Sequence, residues 1–232
     1  MGYNTGDSYE EKIFEICKEK GITPLGSTRA GASANKADVE FVNSGIVYKL
    51  EVKNDQNPDY GQRRLHYDPN TKIWNWAVND AVSQFYDSLG VLGHIDPAFS
   101  PIWYQKRRKV GNIYKYFQGA TYSEHDLRAD QQGFENSSNP ISIKALFNYY
   151  KKRNTHYIQI EGSGFYHLDS DIANLGTPQY DGSVTIRFRL KRHSSTPIHS
   201  CSFFAVLKEE RKPTKSPFNI QTSKDQTFPP IR

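Results

Sequence analysis

Residues 35–54 read NKADVEFVNSGIVYKLEVKN, and the pairing of this stretch decides how the rest of the chain is understood. Side chains alternate across a strand, so residues two apart share a face. In 46–53, Ile46, Tyr48, Leu50 and Val52 form an apolar face, and Val47, Lys49, Glu51 and Lys53 form the other. In 38–42, Val39 and Phe41 are apolar, leaving Asp38 and Glu40 opposite them. A two-residue turn at Ser44-Gly45 sets Asn43 against Ile46, Phe41 against Tyr48 and Val39 against Leu50. A slip by one residue would set apolar side chains against charges. The coherent register therefore puts Glu40 beside Lys49 and Asp38 directly across from Glu51, with Lys53 one step along the same face.

Two adjacent carboxylates repel each other unless a cation lies between them. Hard oxygen donors at this spacing suit Mg²⁺, which commonly takes one or two protein carboxylates and completes its shell with water and phosphate. A lysine two residues on is placed to orient or help deprotonate a water, or to offset charge on a phosphate. A solvent-facing hairpin whose charges pair among themselves is the plainer alternative.

An acid on one strand followed, ten to twenty residues later, by acid-x-lysine on the next resembles the PD-(D/E)XK nuclease superfamily. Asp38 and Glu51-Val52-Lys53 carry the resemblance, with Ala37 where that signature has proline. Gly6-Asp7-Ser8-Tyr9-Glu10 is similar to the G-x-x-x-E of resolvase-like members, and the Arg-Ala-Gly-Ala-Ser run resembles their loop before the first acid. The resemblance covers residues 6–54. It implies Mg²⁺, with Mn²⁺ substituting, held by Asp38, Glu51 and the Val52 carbonyl. Glu10 would complete the shell directly or through water, and Lys53 would position or polarise the water. It further implies in-line hydrolysis of a phosphodiester, leaving 5′-phosphate and 3′-hydroxyl ends. Glu10 competes with Glu11 for the helical role. Glu10 falls about 60° from Ile13 on the wheel, whereas Glu11 falls about 160° away and stands at capping-box spacing from Ser8.

The helix carrying Glu10 is expected over 8–20, with Tyr9, Ile13, Ile16 and Cys17 as its apolar stripe and Gly21 as its stop. Residues 55–72 read as loop or broken strand, and 74–90 has helical spacing from Trp74 to Phe85. Beyond residue 91, PIWYQ, NIYKYF, HYIQIEGSGFYHL, SVTIRFRLK and CSFFAVLK read as strands, and 142–153 as a short helix. Residues 211–232, rich in Pro, Ser, Thr and Lys, read as a tail or surface extension.

The 232 residues are 36% hydrophobic, with net charge +5 and pI about 9.0. Residues 1–100 carry a net −4 and residues 101–232 a net +9. An acidic first half with a basic second half suits a polyanion held beside carboxylates. Candidate DNA contacts are Gln62, Arg63 and Arg64 after the E-x-K strand, Lys106, Arg107, Arg108 and Lys109 beside Trp103-Tyr104, and Arg187, Arg189 and Lys191 on one strand face. No apolar run reaches membrane-spanning length, no signal peptide is recognisable, and two cysteines suggest reduced thiols and a cytoplasmic protein. The seven histidines lack zinc-ligand spacing, and no nucleotide-binding fingerprint appears.

The expectation is therefore an α/β fold with a restriction-endonuclease-like mixed central sheet flanked by helices. A catalytic core over about 6–95 and a basic β-rich portion over about 96–210 would form one domain. The expected activity is Mg²⁺-dependent cleavage of double-stranded DNA, preferably by a type II restriction-type homodimer. A junction-resolving, phage or repair nuclease is the alternative within the superfamily, and a non-catalytic DNA-binding module the alternative outside it.

Overall fold

The computed structural model describes residues 5–28, 37–54, 58–111, 113–135, 138–193 and 200–232, and is mixed α/β. Among them the elements are α1 (Thr5–Glu19), β1 (Val39–Asn43), β2 (Ile46–Lys53), β3 (Asp59–Asp68), β4 (Ile73–Trp76), α2 (Ala81–Ser88), α3 (Ile102–Gln105), β5 (Arg107–Val110) and β6 (Ile113–Tyr116). There follow α4 (Glu124–Phe134), β7 (Ser138–Ile141), α5 (Ile143–Lys152), β8 (Tyr157–Ile160), β9 (Gly164–His167), β10 (Ser183–Arg192) and β11 (Cys201–Arg211).

The chain divides into two units. Unit 1 comprises Met1–Pro58, Ser142–Val184 and Glu209–Arg232, and unit 2 comprises Asp59–Ile141 and Thr185–Lys208. Unit 2 follows β2 in the chain and also takes most of β10, from Thr185 to its end, and most of β11, from its start to Lys208. Unit 2 holds 14 Lys/Arg against nine Asp/Glu, so the whole net charge of +5 lies in it and unit 1 is neutral.

In unit 1 the sheet order is β1-β2-β8-β9, with β2 parallel to β8 and the other pairs antiparallel. The β1–β2 register is Asn43↔Ile46, Phe41↔Tyr48, Glu40↔Lys49 and Val39↔Leu50, as the apolar pattern requires. Ser44 and Gly45 both have positive φ, 51° and 79°, which the twist of a two-residue hairpin turn demands. Ile46, expected on the buried face, is exposed because the hairpin tip extends past the core.

Helix α1 ends in a Schellman motif: Gly21 has φ 74°, Ile22 N donates to Cys17 O and Gly21 N to Lys18 O. Its stripe of Tyr9, Ile13, Ile16 and Cys17 is buried with Val39, Phe41, Leu50, Val52, Tyr157 and Phe165. Ile220, Phe228 and Ile231 belong to the same core. Residues 211–232, expected as a tail or surface extension, follow the second reading beyond Arg211, which ends β11. They cover β9, where Phe218 O accepts Phe165 N, and thereby close a sheet edge. Gly164, at φ 117°, makes this possible, since a Cβ there would lie 2.5 Å from Phe218 O.

In unit 2 a five-stranded sheet has the order β4-β3-β11-β10-β7, and β5–β6 is a separate two-stranded ribbon. Within residues 55–72, expected as loop or broken strand, Asp59–Asp68 form β3, and Trp74–Trp76, expected as helix, pair with it as β4. The helix begins later because Asp80 caps it, accepting Val82 N and Ser83 N, while Trp74 joins Tyr67, Phe99, Phe134 and Phe203 in an aromatic core. Residues 102–105, expected as strand, turn helically because Asp130, almost fully buried, accepts the amides of Ile102 and Trp103 together with Tyr122 O–H.

Candidate active site

The β1–β2 ladder ends at Val39↔Leu50, and one residue beyond it the Asp38 carboxylate accepts the Val52 N–H at 2.9 Å. This bond points Asp38 across the strand at the face bearing Glu51 and Lys53. The Lys53 ammonium lies 2.5 Å from Glu51 Oε1 and 3.7 Å from Asp38 Oδ2. The side chains of Asp38, Glu51 and Lys53 are 16%, 9% and 18% exposed, so the cluster is largely screened from bulk water. Tyr150, on α5, donates its O–H to Glu51 Oε1 at 3.0 Å.

Two carboxylates share one ammonium within ion-pair distance, with the charges of Arg153 and Glu10 acting from farther off. Burial first, and then the charge of Glu51, push the Asp38 carboxyl up to about 6, against the opposing pull of Lys53, the Val52 N–H and Arg153. Burial draws the Lys53 ammonium down, but the charge of Glu51, that of Asp38, the Glu51 hydrogen bond and the charge of Glu10 outweigh it. Together they hold Lys53 above its ordinary value. Lys53 is thus a committed cation. Glu10 lies on the inward side of α1, near enough to act on Lys53, while Glu11 is exposed. Among the described residues no three His, Cys, Asp or Glu side chains gather as a metal-holding group, so Glu10 does not join the two carboxylates as a third ligand in this arrangement.

Parallel pairing with β8 sets Val52 against Gln159, a fully buried amide. Its Nε2 donates to Tyr9 Oη at 3.0 Å and Asn219 Oδ1 at 2.7 Å, and its Oε1 accepts Ile220 N at 3.1 Å. Gln159 thus ties α1 and the C-terminal segment to the strand beside the acid-x-lysine. Sequence reading missed both Tyr150 and Gln159. Tyr150 sits in an ordinary aromatic stripe and carries no signal, whereas Gln159 was discernible as the one polar residue in the apolar run Tyr157–Ile160.

Comparison of the chain with protein-family models, with curated proteins and with solved structures finds no match. The functional reading consequently stands on the residues themselves.

The candidate DNA-contact residues lie in unit 2 in unequal circumstances. Gln62 and Arg64 are exposed on β3, while Arg63, on its other face, is ion-paired with Asp80 at 2.8 Å. Lys106 is held by Asp126 at 2.7 Å, and the Arg107 guanidinium is stacked between Trp103 and Tyr116, 3.9 and 4.3 Å from their ring centres. Trp103 and Tyr104 are buried, so the expected exposed stacking surface is instead an anchor for Arg107. Arg108 and Lys109 are exposed on β5. Arg187 and Arg189 both face Asp59, at 3.9 and 3.0 Å, and Lys191 is exposed. The KRRK run and the arginine strand therefore separate into cations already engaged by protein acids or rings and those facing solvent. No helix of the described residues is long and apolar enough to cross a membrane.

Proposed function

We propose that the chain is a divalent-metal-dependent endodeoxyribonuclease with a restriction-endonuclease-like catalytic unit of the PD-(D/E)XK type. The observation that carries this reading is the convergence of Asp38, Glu51 and Lys53 at one strand end, with the Asp38 carboxylate short of compensating charge. That deficit and the hard oxygen donors fit Mg²⁺ or Mn²⁺. Asp38 and Glu51 would hold the ion, with the Val52 carbonyl as a neighbouring donor and Glu10 acting through water. When bound, the metal supplies Lewis-acid chemistry for phosphodiester hydrolysis.

The chain's own residues do the rest. Val52 N–H and Tyr150 O–H each fix one carboxylate, so both are oriented before substrate arrives. Lys53, retained as an ammonium, donates to water or phosphate oxygen and offsets the negative charge that builds on the phosphorane, rather than serving as a base. The cationic unit 2 supports a sequence-specific, type II restriction-type enzyme acting on duplex DNA, in which a homodimer would cut both strands.

The test is incubation of plasmid DNA with the protein and Mg²⁺ or Mn²⁺, beside Lys53→Ala and EDTA controls. Discrete fragments are expected from the wild type and none from either control. Cutting confined to four-way junctions would assign a resolvase. DNA binding without cleavage of any duplex or junction under either metal would leave only a binding module.

A further inference from the structure

We propose that the β5–β6 ribbon of unit 2, with the groove at its base, reads base edges in the major groove of double-stranded DNA. DNA as the partner rests on the nuclease reading above; the surface and the mode of readout rest on the ribbon's own geometry and side chains.

The ribbon pairs Arg107↔Tyr116, Arg108↔Lys115, Lys109↔Tyr114 and Val110↔Ile113, and hydrogen-bonds into neither larger sheet. Its two strands lie about 4.8 Å apart, and that spacing plus the flanking side chains sets the ribbon's width. The major groove of B-DNA is about 12 Å wide and admits a two-stranded ribbon. Arg108, Lys109 and Lys115 are exposed along it. Its base is rigid: Arg107 is clamped between Trp103 and Tyr116, and the preceding Lys106 is locked to Asp126. An anchored foot with exposed cations along the strands above it suits a reading element, since side chains must be held in place to discriminate bases.

Beneath the ribbon lies a groove of about 710 Å³ that runs onto the β3–β4 hairpin. It is lined by Arg108 and Lys109 together with His66, Asp68, Asn75 and Phe117. A neighbouring hollow of about 500 Å³ shares His66 and Lys109 and adds Arg64. The mixture decides the mode of binding. A phosphate clamp needs cations and neutral donors, and a carboxylate in it would repel the backbone. Asp68 is held ionised by the Asn70 N–H, which makes it an acceptor suited to a cytosine amino group. An amide such as Asn75 suits adenine, and Arg108 or Lys109 suits guanine. Donors on the ribbon and acceptors on the adjoining β3–β4 hairpin, lining one groove, match base edges better than a backbone.

The test uses the full chain in EDTA, so that binding is read without cleavage and failure of the nuclease reading is separable. Wild-type protein selects from a duplex library with a randomised centre, and affinities for the selected and a scrambled duplex are measured by fluorescence anisotropy. We expect Arg108→Ala/Lys109→Ala to lose at least tenfold for the selected duplex, and less than threefold for the scrambled one. Asn75→Ala should relax the consensus at one position. Lys12→Ala/Lys18→Ala, on the solvent side of α1, should bind as wild type. Circular dichroism melts establish that each variant is folded. Equal losses on both duplexes would mean phosphate contacts only and overturn base reading. So would wild-type selectivity in the ribbon variant, failure of the wild type to enrich any duplex, or equal competition by single-stranded DNA or RNA.

Discussion

Replacing Asp38 by Asn should stabilise the metal-free protein, and only above a definite pH. Asp38 is a carboxyl kept 16% exposed beside Glu51, with its protonation midpoint pushed from 3.8 up to about 6. Keeping such a group charged costs about 3 kcal/mol relative to its protonated form. The folded-state value lies above the unfolded one, so the native state binds the proton more tightly. Asp38's contribution to stability is therefore full below about pH 4 and is lost as pH rises through 6. Asparagine can still accept the Val52 N–H, and Lys53 keeps Glu51 as its partner, so the substitution resembles permanent protonation. In EDTA the variant should match the wild type near pH 4 and exceed it by about 1.5–3 kcal/mol at pH 7.5. That corresponds to about 3–10 °C in melting temperature for a chain of this size. Paired thermal melts from pH 4 to 8 provide the measurement. A difference independent of pH, or a variant less stable than the wild type at pH 7.5, would refute the claim that the Asp38 carboxylate is short of compensating charge.

Lys53→Met leaves two buried carboxylates without their cation and should cost about 3–5 kcal/mol in EDTA at pH 7.5. Urea unfolding should show much of that loss recovered at pH 4.5, where the acids protonate. Tyr150→Phe removes one donor from Glu51 and should lower the stability read from urea unfolding by about 1–2 kcal/mol with an unchanged slope. Gly164→Ala forces a Cβ against Phe218 O at a φ of 117°, so a loss of at least about 2 kcal/mol is expected. Faster proteolysis within residues 212–232 should accompany it, and equal cleavage rates would count against the edge-covering role of that segment.

Local chemistry made the hairpin legible. Its register follows from two-residue alternation and a turn whose residues tolerate positive φ, both of which are properties of neighbours in the chain. The stripe of α1 and the stop at Gly21 were legible for the same reason. The readings that failed depended on distant partners. Trp74–Trp76 has helical spacing, but pairing with β3 and the aromatic core take it as a strand. Ile102–Gln105 looks like a strand, but its amides are claimed by Asp130, 27 and 28 residues away. Residues 211–232 read as a tail or surface extension because Ile220, Phe228 and Ile231 are sparse, and no sequence window chooses between the two by revealing that each reaches the core of unit 1.

The site divides along the same line. Asp38, Glu51 and Lys53 were determined by the sequence itself, because strand period and turn length bring them to one face without help from the rest of the chain. Tyr150 beneath Glu51 and Gln159 beside Val52 were decided by the parallel docking of β8 after its helix, across about a hundred intervening residues. The cations of unit 2 show the difference most plainly. Arg63, Lys106, Arg187 and Arg189 look in sequence like Arg64, Arg108 and Lys109. Tertiary structure alone gives the first group acids to pair with and leaves the second facing solvent, because an ion pair depends on distance in space, which separation along the chain does not report.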